Sequence, residues 1–110
     1  MRTLTDREMG LLREMGEAGI VFLVSPVFGY VELTADEVKT YLEDPDAFMA
    51  RQHGVPLDLF RDWREFARDP RCRAATKKGR RCENELPVPN TPAQFRPGVT
   101  DYCRVHQEHI

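Results

Sequence analysis

Apolar residues recur at helical spacing in several parts of the first seventy residues, and in one place they run together. Thr5-Asp6-Arg7-Glu8 has the form of a capping box, in which Thr5 caps the first turn and Glu8 reaches back. Met9, Leu12 and Met15, with Leu11, follow as a narrow apolar stripe that ends near Gly16 and Gly19. The segments 20–24 and 28–33 are rich in β-branched and aromatic residues, and Ser25-Pro26 separates them. The pattern therefore predicts two short strands rather than one long one. Thr34-Ala35-Asp36-Glu37 is a second capping box, ahead of a helix whose apolar face is Val38, Tyr41 and Leu42. Asp44-Pro45 starts another helix, with Phe48, Met49 and Ala50 facing inward and Gly54 closing it. A last helix, from Pro56 or Asp58 to Arg68, carries Leu59, Phe60, Trp63, Phe66 and Ala67.

The pattern changes at Asp69-Pro70. Upstream lie Leu, Met, Phe and Trp at helical spacing; downstream lie Pro, Lys, Arg and Cys. Charge changes at the same place. Residues 1–70 carry fourteen acidic and eight basic side chains, whereas residues 71–110 carry eight basic and four acidic. The chain thus reads as an acidic helical body with short strands over residues 1–70 and a basic module over residues 71–110. The expected fold class is α+β: a small helical body with a two-stranded hairpin, followed by a metal-stabilised ribbon and loop. A hydrophobic share of 41% against 31% charged is that of a soluble globular chain rather than a disordered or membrane one. The longest apolar run, residues 20–24, is too short to span a bilayer, and the first ten residues lack the apolar core of a signal peptide. The expected location is a reducing cytoplasm.

Residues 48–63 resemble a helix-turn-helix, with Met49, Val55, Phe60 and Trp63 at its apolar positions and Gly54 in the turn; His53 departs from the pattern. The second helix would expose Asp58, Arg61, Asp62, Arg64, Glu65 and Arg68, whose charges cancel. Phosphate contacts supply most nucleic-acid affinity, so a neutral helix in an acidic body is a poor reader of DNA. A packed helical pair is the expected role. Trp63, Phe60 and Phe66 read as core, His53 as a helix-terminal histidine, and Glu43, Asp44 and Asp46 as a solvated cap.

All three cysteines lie in the basic module: Cys72, Cys82 and Cys103, with His106 three residues after the last. Structural disulfides are rare in a reducing compartment, so metal coordination is the leading explanation for this spacing and free thiols the second. A Cys72–Cys82 disulfide with Cys103 free is the alternative for a secreted chain. Thiolates with an imidazole suit zinc, which takes four ligands in a tetrahedron. Cys103 and His106 form a tight half-site on one turn. Cys72 and Cys82 would meet across a ribbon whose tight turn is Lys78-Gly79, where glycine supplies a positive φ. His109 is a less well-spaced substitute for His106. The segment 83–101 contains Pro87, Pro89, Pro92 and Pro97 and shows no amphipathic pattern, so it needs pinning at both ends. One structural zinc ion per chain would supply that. A catalytic role is not expected, because four protein ligands leave no open position. No Ser-His-Asp set, phosphate-cradling glycine loop or carboxylate pair is visible.

Cys72, Thr76, Lys77, Lys78, Gly79, Cys82, Tyr102, Cys103 and His106 together resemble a class of small Cys3His zinc modules. These read Cys, about nine residues with a Thr-Lys-Lys-Gly-like turn, a second Cys, a variable loop, and Tyr-Cys-x-x-His. The plant WRC domain has this form, and similar segments occur in bacterial and phage proteins. The middle loop here is longer than that pattern. The resemblance covers about 35 residues and implies DNA binding. Arg71, Arg73, Lys77, Lys78, Arg80 and Arg81 would be its phosphate-binding surface, with Phe95 and Tyr102 the sole candidates for base stacking. Two readings follow. The first is a zinc-stabilised, regulatory nucleic-acid-binding module. The second is a protein-interaction adaptor or inhibitor of possible phage derivation, addressing a protein partner or a second copy in a dimer, with zinc only holding the fold.

Overall fold

The computed structural model describes residues 2–75 and 79–107. Among the described residues there are four α-helices and one two-stranded antiparallel hairpin, the α+β content expected. Packing divides the chain between Gln52 and His53, ahead of the compositional break after residue 70.

In the first unit, α1 (Asp6–Glu17) begins as the sequence predicts. The Glu8 N–H donates to Thr5 Oγ1 at 3.1 Å, and the Thr5 N–H donates to Glu8 Oε1 at 3.1 Å. Two of the donors that every helix start leaves unpaired are satisfied in this way. The helix ends in a Schellman arrangement. Gly19 takes φ +93°, its N–H reaches Gly16 O, and the Ile20 N–H reaches Met15 O at 3.0 Å. Met9 is buried and Leu12 and Met15 are half-buried, but Leu11 faces solvent, so the stripe is narrower than the sequence suggests.

β1 (Phe22–Val24) and β2 (Val31–Leu33) pair with Phe22 opposite Leu33 and Val24 opposite Val31. Both are shorter than the expected 20–24 and 28–33. Pro26 cannot donate to a ladder, and Gly29 sits at φ +65° in the bend between them. α2 (Ala35–Glu43) repeats the capping box with Thr34 and Glu37. α3 (Pro45–His53) starts on Asp44, whose Oδ1 accepts from the Ala47 N–H at 3.2 Å. Phe48, Met49 and Ala50 are buried as expected, and Tyr41 meets Phe48 edge-on at 5.9 Å.

The second unit is built on α4 (Leu57–Arg68), whose Phe60, Trp63 and Phe66 are nearly or wholly inaccessible. His53, the residue that fits a helix-turn-helix poorly, lies against Phe60 and Trp63 with ring centres 6.0 and 6.1 Å away. The other side of this core comes from the proline-rich segment. Pro92, in a 3-10 turn at Pro92–Gln94, and Phe95 are both buried. Phe66 and Phe95 stack at 5.5 Å, and the Trp63 indole N–H donates to Pro89 O at 2.8 Å. The loop is therefore half of a core, held to α4 by two rings and an indole bond. Among the described residues no helix is long and apolar enough to cross a membrane.

Candidate metal centre

The ribbon that carries Cys72 and Cys82 forms as its sequence implies. Isolated antiparallel bridges join Arg71 to Glu85 and Ala75 to Arg81. The Cys72 N–H donates to Asn84 O at 2.8 Å and the Cys82 N–H to Ala74 O at 2.7 Å. Gly79 has φ +76°, as the turn requires. The Thr76-Lys77-Lys78 part of that turn, and the substitute ligand His109, lie outside the described residues. The opposite half-site is a tight turn in which the His106 N–H closes on Cys103 O at 2.9 Å. The two halves are tied directly: the Cys103 N–H donates to Cys72 Sγ at 3.2 Å, and the Arg73 N–H to Asp101 O at 3.0 Å.

Cys72, Cys82 and Cys103 are buried free thiols, and Ala74, Leu86 and Tyr102 pack around them. Together with His106 they bring three sulfurs and one nitrogen to one point, all four atoms within 4.8 Å of one another. His106 turns Nδ1 inward, 3.2 Å from Cys103 Sγ and 3.6 Å from Cys72 Sγ. A tetrahedron with metal–sulfur bonds of about 2.3 Å and a metal–nitrogen bond of about 2.0–2.1 Å has edges of roughly 3.5–3.8 Å. The two nitrogen–sulfur separations lie close to that size and no pair of the four atoms exceeds 4.8 Å, so these residues could hold one metal ion. Four protein donors fill a tetrahedron and leave no position for substrate or water.

The electrostatics of the thiols are split. The Asn84 side chain holds the Cys103 thiol down to about 6, with help from the Val105 and His106 backbone N–H groups and against the cost of burial. The Asn84 backbone N–H also lowers Cys82, but burial and the neighbouring Cys72 and Cys103 outweigh it and push that thiol up. A thiol already inclined to ionise beside one, Cys82, that resists it is a site where a cation would resolve the repulsion.

The six basic residues assigned from sequence to phosphate binding do not form one free surface. Arg73 turns inward. It donates to Asp62 Oδ1 at 2.8 Å and to Asp101 Oδ2 at 3.1 Å, and its guanidinium lies over the rings of Phe66 and Phe95 at 5.4 and 5.7 Å. Arg71 forms a two-pronged pair with Asp69, at 2.7 and 2.9 Å. Arg81 reaches the same carboxylate at 2.7 Å and also the carbonyls of Arg71 and Cys72. Arg80 is exposed, with no ion pair among the described residues; Lys77 and Lys78 lie outside them. Phe95, at 2% exposure, is core and cannot stack on a base, while Tyr102 packs beside the thiols.

Asp101, Asp62 and Asp69 were the residues that sequence reasoning missed. Asp101 is buried. It accepts from Arg73 and from the Gly98 N–H at 2.7 Å, fixing the chain two residues before Cys103. Its adjacency to the Tyr-Cys-x-x-His motif was the available signal.

Fold and site together define a small α+β protein with a closed Cys3His cluster able to bind a metal. Comparison with protein-family models, with curated proteins and with solved structures finds no match.

Proposed function

We propose that this chain is a non-enzymatic protein-interaction module whose Cys3His site takes one zinc ion with a structural role. The observation that carries the reading is the placement of Arg71, Arg73 and Arg81. Their charges are spent on Asp69, Asp62 and Asp101, and they brace the ribbon rather than face a phosphate backbone. Charges already paired with carboxylates of the same chain add less to nucleic-acid affinity than free ones, and Arg73, the most covered of the three, adds least. The chain also exposes large apolar side chains, among them Leu11, Ile20, Val21, Leu23, Phe28 and Tyr30. Exposed apolar patches mark interaction surfaces. Zinc suits the donor set of three thiolates and one imidazole, and it would supply the folding free energy that joins ribbon to terminal turn.

Exposed Arg80, with Lys77 and Lys78 beside it in sequence, favours a second reading: nucleic-acid binding confined to the ribbon tip, in keeping with the resemblance to WRC-type modules. Anisotropy titrations of labelled DNA and RNA at low salt separate the two. The interaction reading expects no salt-sensitive binding. Binding that falls steeply with added salt and disappears in a Lys77→Ala, Lys78→Ala, Arg80→Ala variant would establish the tip as a nucleic-acid site.

A further inference from the structure

The ribbon that carries Cys72 and Cys82 is not a continuous ladder, and its gap falls at the thiols. The bridges from Arg71 to Glu85 and from Ala75 to Arg81 are in one register. An unbroken antiparallel ladder in that register would also pair Arg73 with Glu83. It would do so through bonds from the Asn84 N–H to Cys72 O and from the Ala74 N–H to Cys82 O. Neither forms among the described residues, although the reverse bonds, from Cys72 N–H to Asn84 O and from Cys82 N–H to Ala74 O, are both made. The Asn84 N–H is turned to the Cys82 sulfur instead.

That diversion leaves Cys72 O without its ladder donor. Cys72 is 0% exposed, so water cannot reach its carbonyl, and a buried carbonyl left unpaired is costly. Arg81 supplies the missing donor. Its Nε donates to Cys72 O at 3.1 Å, and its Nη2 donates to Arg71 O at 2.8 Å and to Asp69 O at 3.3 Å. Its Nη1 is anchored on Asp69 Oδ2 at 2.7 Å. Arg81 also directly precedes Cys82, so one residue ties together the backbones of both ribbon cysteines. The side chain is 37% exposed, so replacing it opens no cavity.

We infer that Arg81 is a positioning residue of the Cys3His site: it takes the carbonyl that a strand N–H has left for sulfur, holds Cys72 opposite Cys82, and so sets how tightly a bound ion is kept. This deepens the structural-zinc reading and rests on it. The donor at the Nε position matters more than the charge, because Asp69 already has a two-pronged partner in Arg71. Glutamine places an uncharged N–H donor the same number of bonds from the backbone as arginine Nε. Lysine keeps the charge but puts its nitrogen one atom further out and lacks the planar fork.

Competition of the full-length chain against a chromogenic chelator for zinc tests this. Arg81→Gln should hold zinc within about threefold of wild type, whereas Arg81→Lys and Arg81→Met should hold it about tenfold or more weakly. Arg71→Lys, which disturbs the same carboxylate but not the bond to Cys72 O, should stay within about threefold. With cobalt in place of zinc, the thiolate-to-metal charge-transfer band should move in Arg81→Lys while Trp63 emission stays unchanged, a combination that general loosening of the fold would not give. A lysine variant that holds zinc as well as the glutamine variant, or better, overturns the inference. So does a loss in Arg81→Lys that Arg71→Lys matches. A wild-type chain that takes up neither zinc nor cobalt overturns the zinc reading itself, and this inference with it.

Discussion

Arg73 donates to Asp101 Oδ2 at 3.1 Å, and in doing so fixes the segments that lead into Cys72 and Cys103. Each member of this pair lies within two residues of a thiol ligand, and the Arg73 backbone N–H adds a second tie to Asp101 O. The guanidinium, enclosed by Phe66, Phe95 and Asp62, is the joint between the α4 core and the Cys3His cluster. Removing it would leave the buried Asp101 carboxylate without its cation, held by the Gly98 N–H alone. Arg73→Ala should therefore cost about 3–5 kcal/mol of stability, whereas Arg80→Ala on the open ribbon should stay within about 0.5 kcal/mol. Urea unfolding of the two variants, each zinc-loaded, measures both.

Legibility from sequence followed the range of the interaction. Thr5 with Glu8, and Thr34 with Glu37, are contacts three residues apart, and both capping boxes were visible in the sequence. That Cys72, Cys82, Cys103 and His106 come together was readable because cysteines gathered in a polar segment have few other uses. Phe60, Trp63 and Phe66 showed as core by their spacing on α4. What they pack against did not show: Pro92 and Phe95 sit in a stretch with no period, and only the tertiary fold turns them inward. Arg73 and Asp62 are eleven residues apart and Arg73 and Asp101 twenty-eight, so charge counting saw a basic patch where the fold makes ion pairs. The compositional break after residue 70 was legible, but composition does not record that α4 packs on the proline-rich loop.

Asp69 gives the fold a specific acid sensitivity. Its carboxyl is held below the usual carboxylate range by the hydrogen bond from Arg71, with the Arg71 and Arg81 charges adding to it. A group with a depressed folded-state value contributes stability above its unfolded value and loses it as pH falls through the folded one. The stability gap between wild type and Asp69→Asn should therefore be constant near neutrality and close as the pH drops below the ordinary aspartate range. Urea midpoints at a series of pH values would show it.

Trp63 is the chain's single tryptophan and reports on the loop. Its indole N–H is bonded to Pro89 O, within the segment between Cys82 and Cys103 that a bound metal would pin at both ends. Trp63→Phe leaves that carbonyl unpaired and should cost about 1–3 kcal/mol. Stripping the metal with a strong chelator should shift the wild-type emission to the red as the loop loosens, and restoring zinc should reverse it.

The ligands differ in how replaceable they are. Cys82→Ser should abolish metal retention and make the C-terminal forty residues protease-sensitive while α1 to α3 persist. His106→Cys keeps a soft donor at the same turn and should retain the ion, whereas His106→Ala should release it more readily. Competition against a chromogenic chelator ranks the three.

X-ray absorption at the zinc edge, with elemental analysis of the freshly purified chain, tests the central claim most directly. One zinc per chain is predicted, bound by three sulfurs at about 2.3 Å and one nitrogen at about 2.0–2.1 Å. A chain that carries no metal, a shell in which oxygen replaces sulfur, or thiols found joined as a disulfide would contradict it.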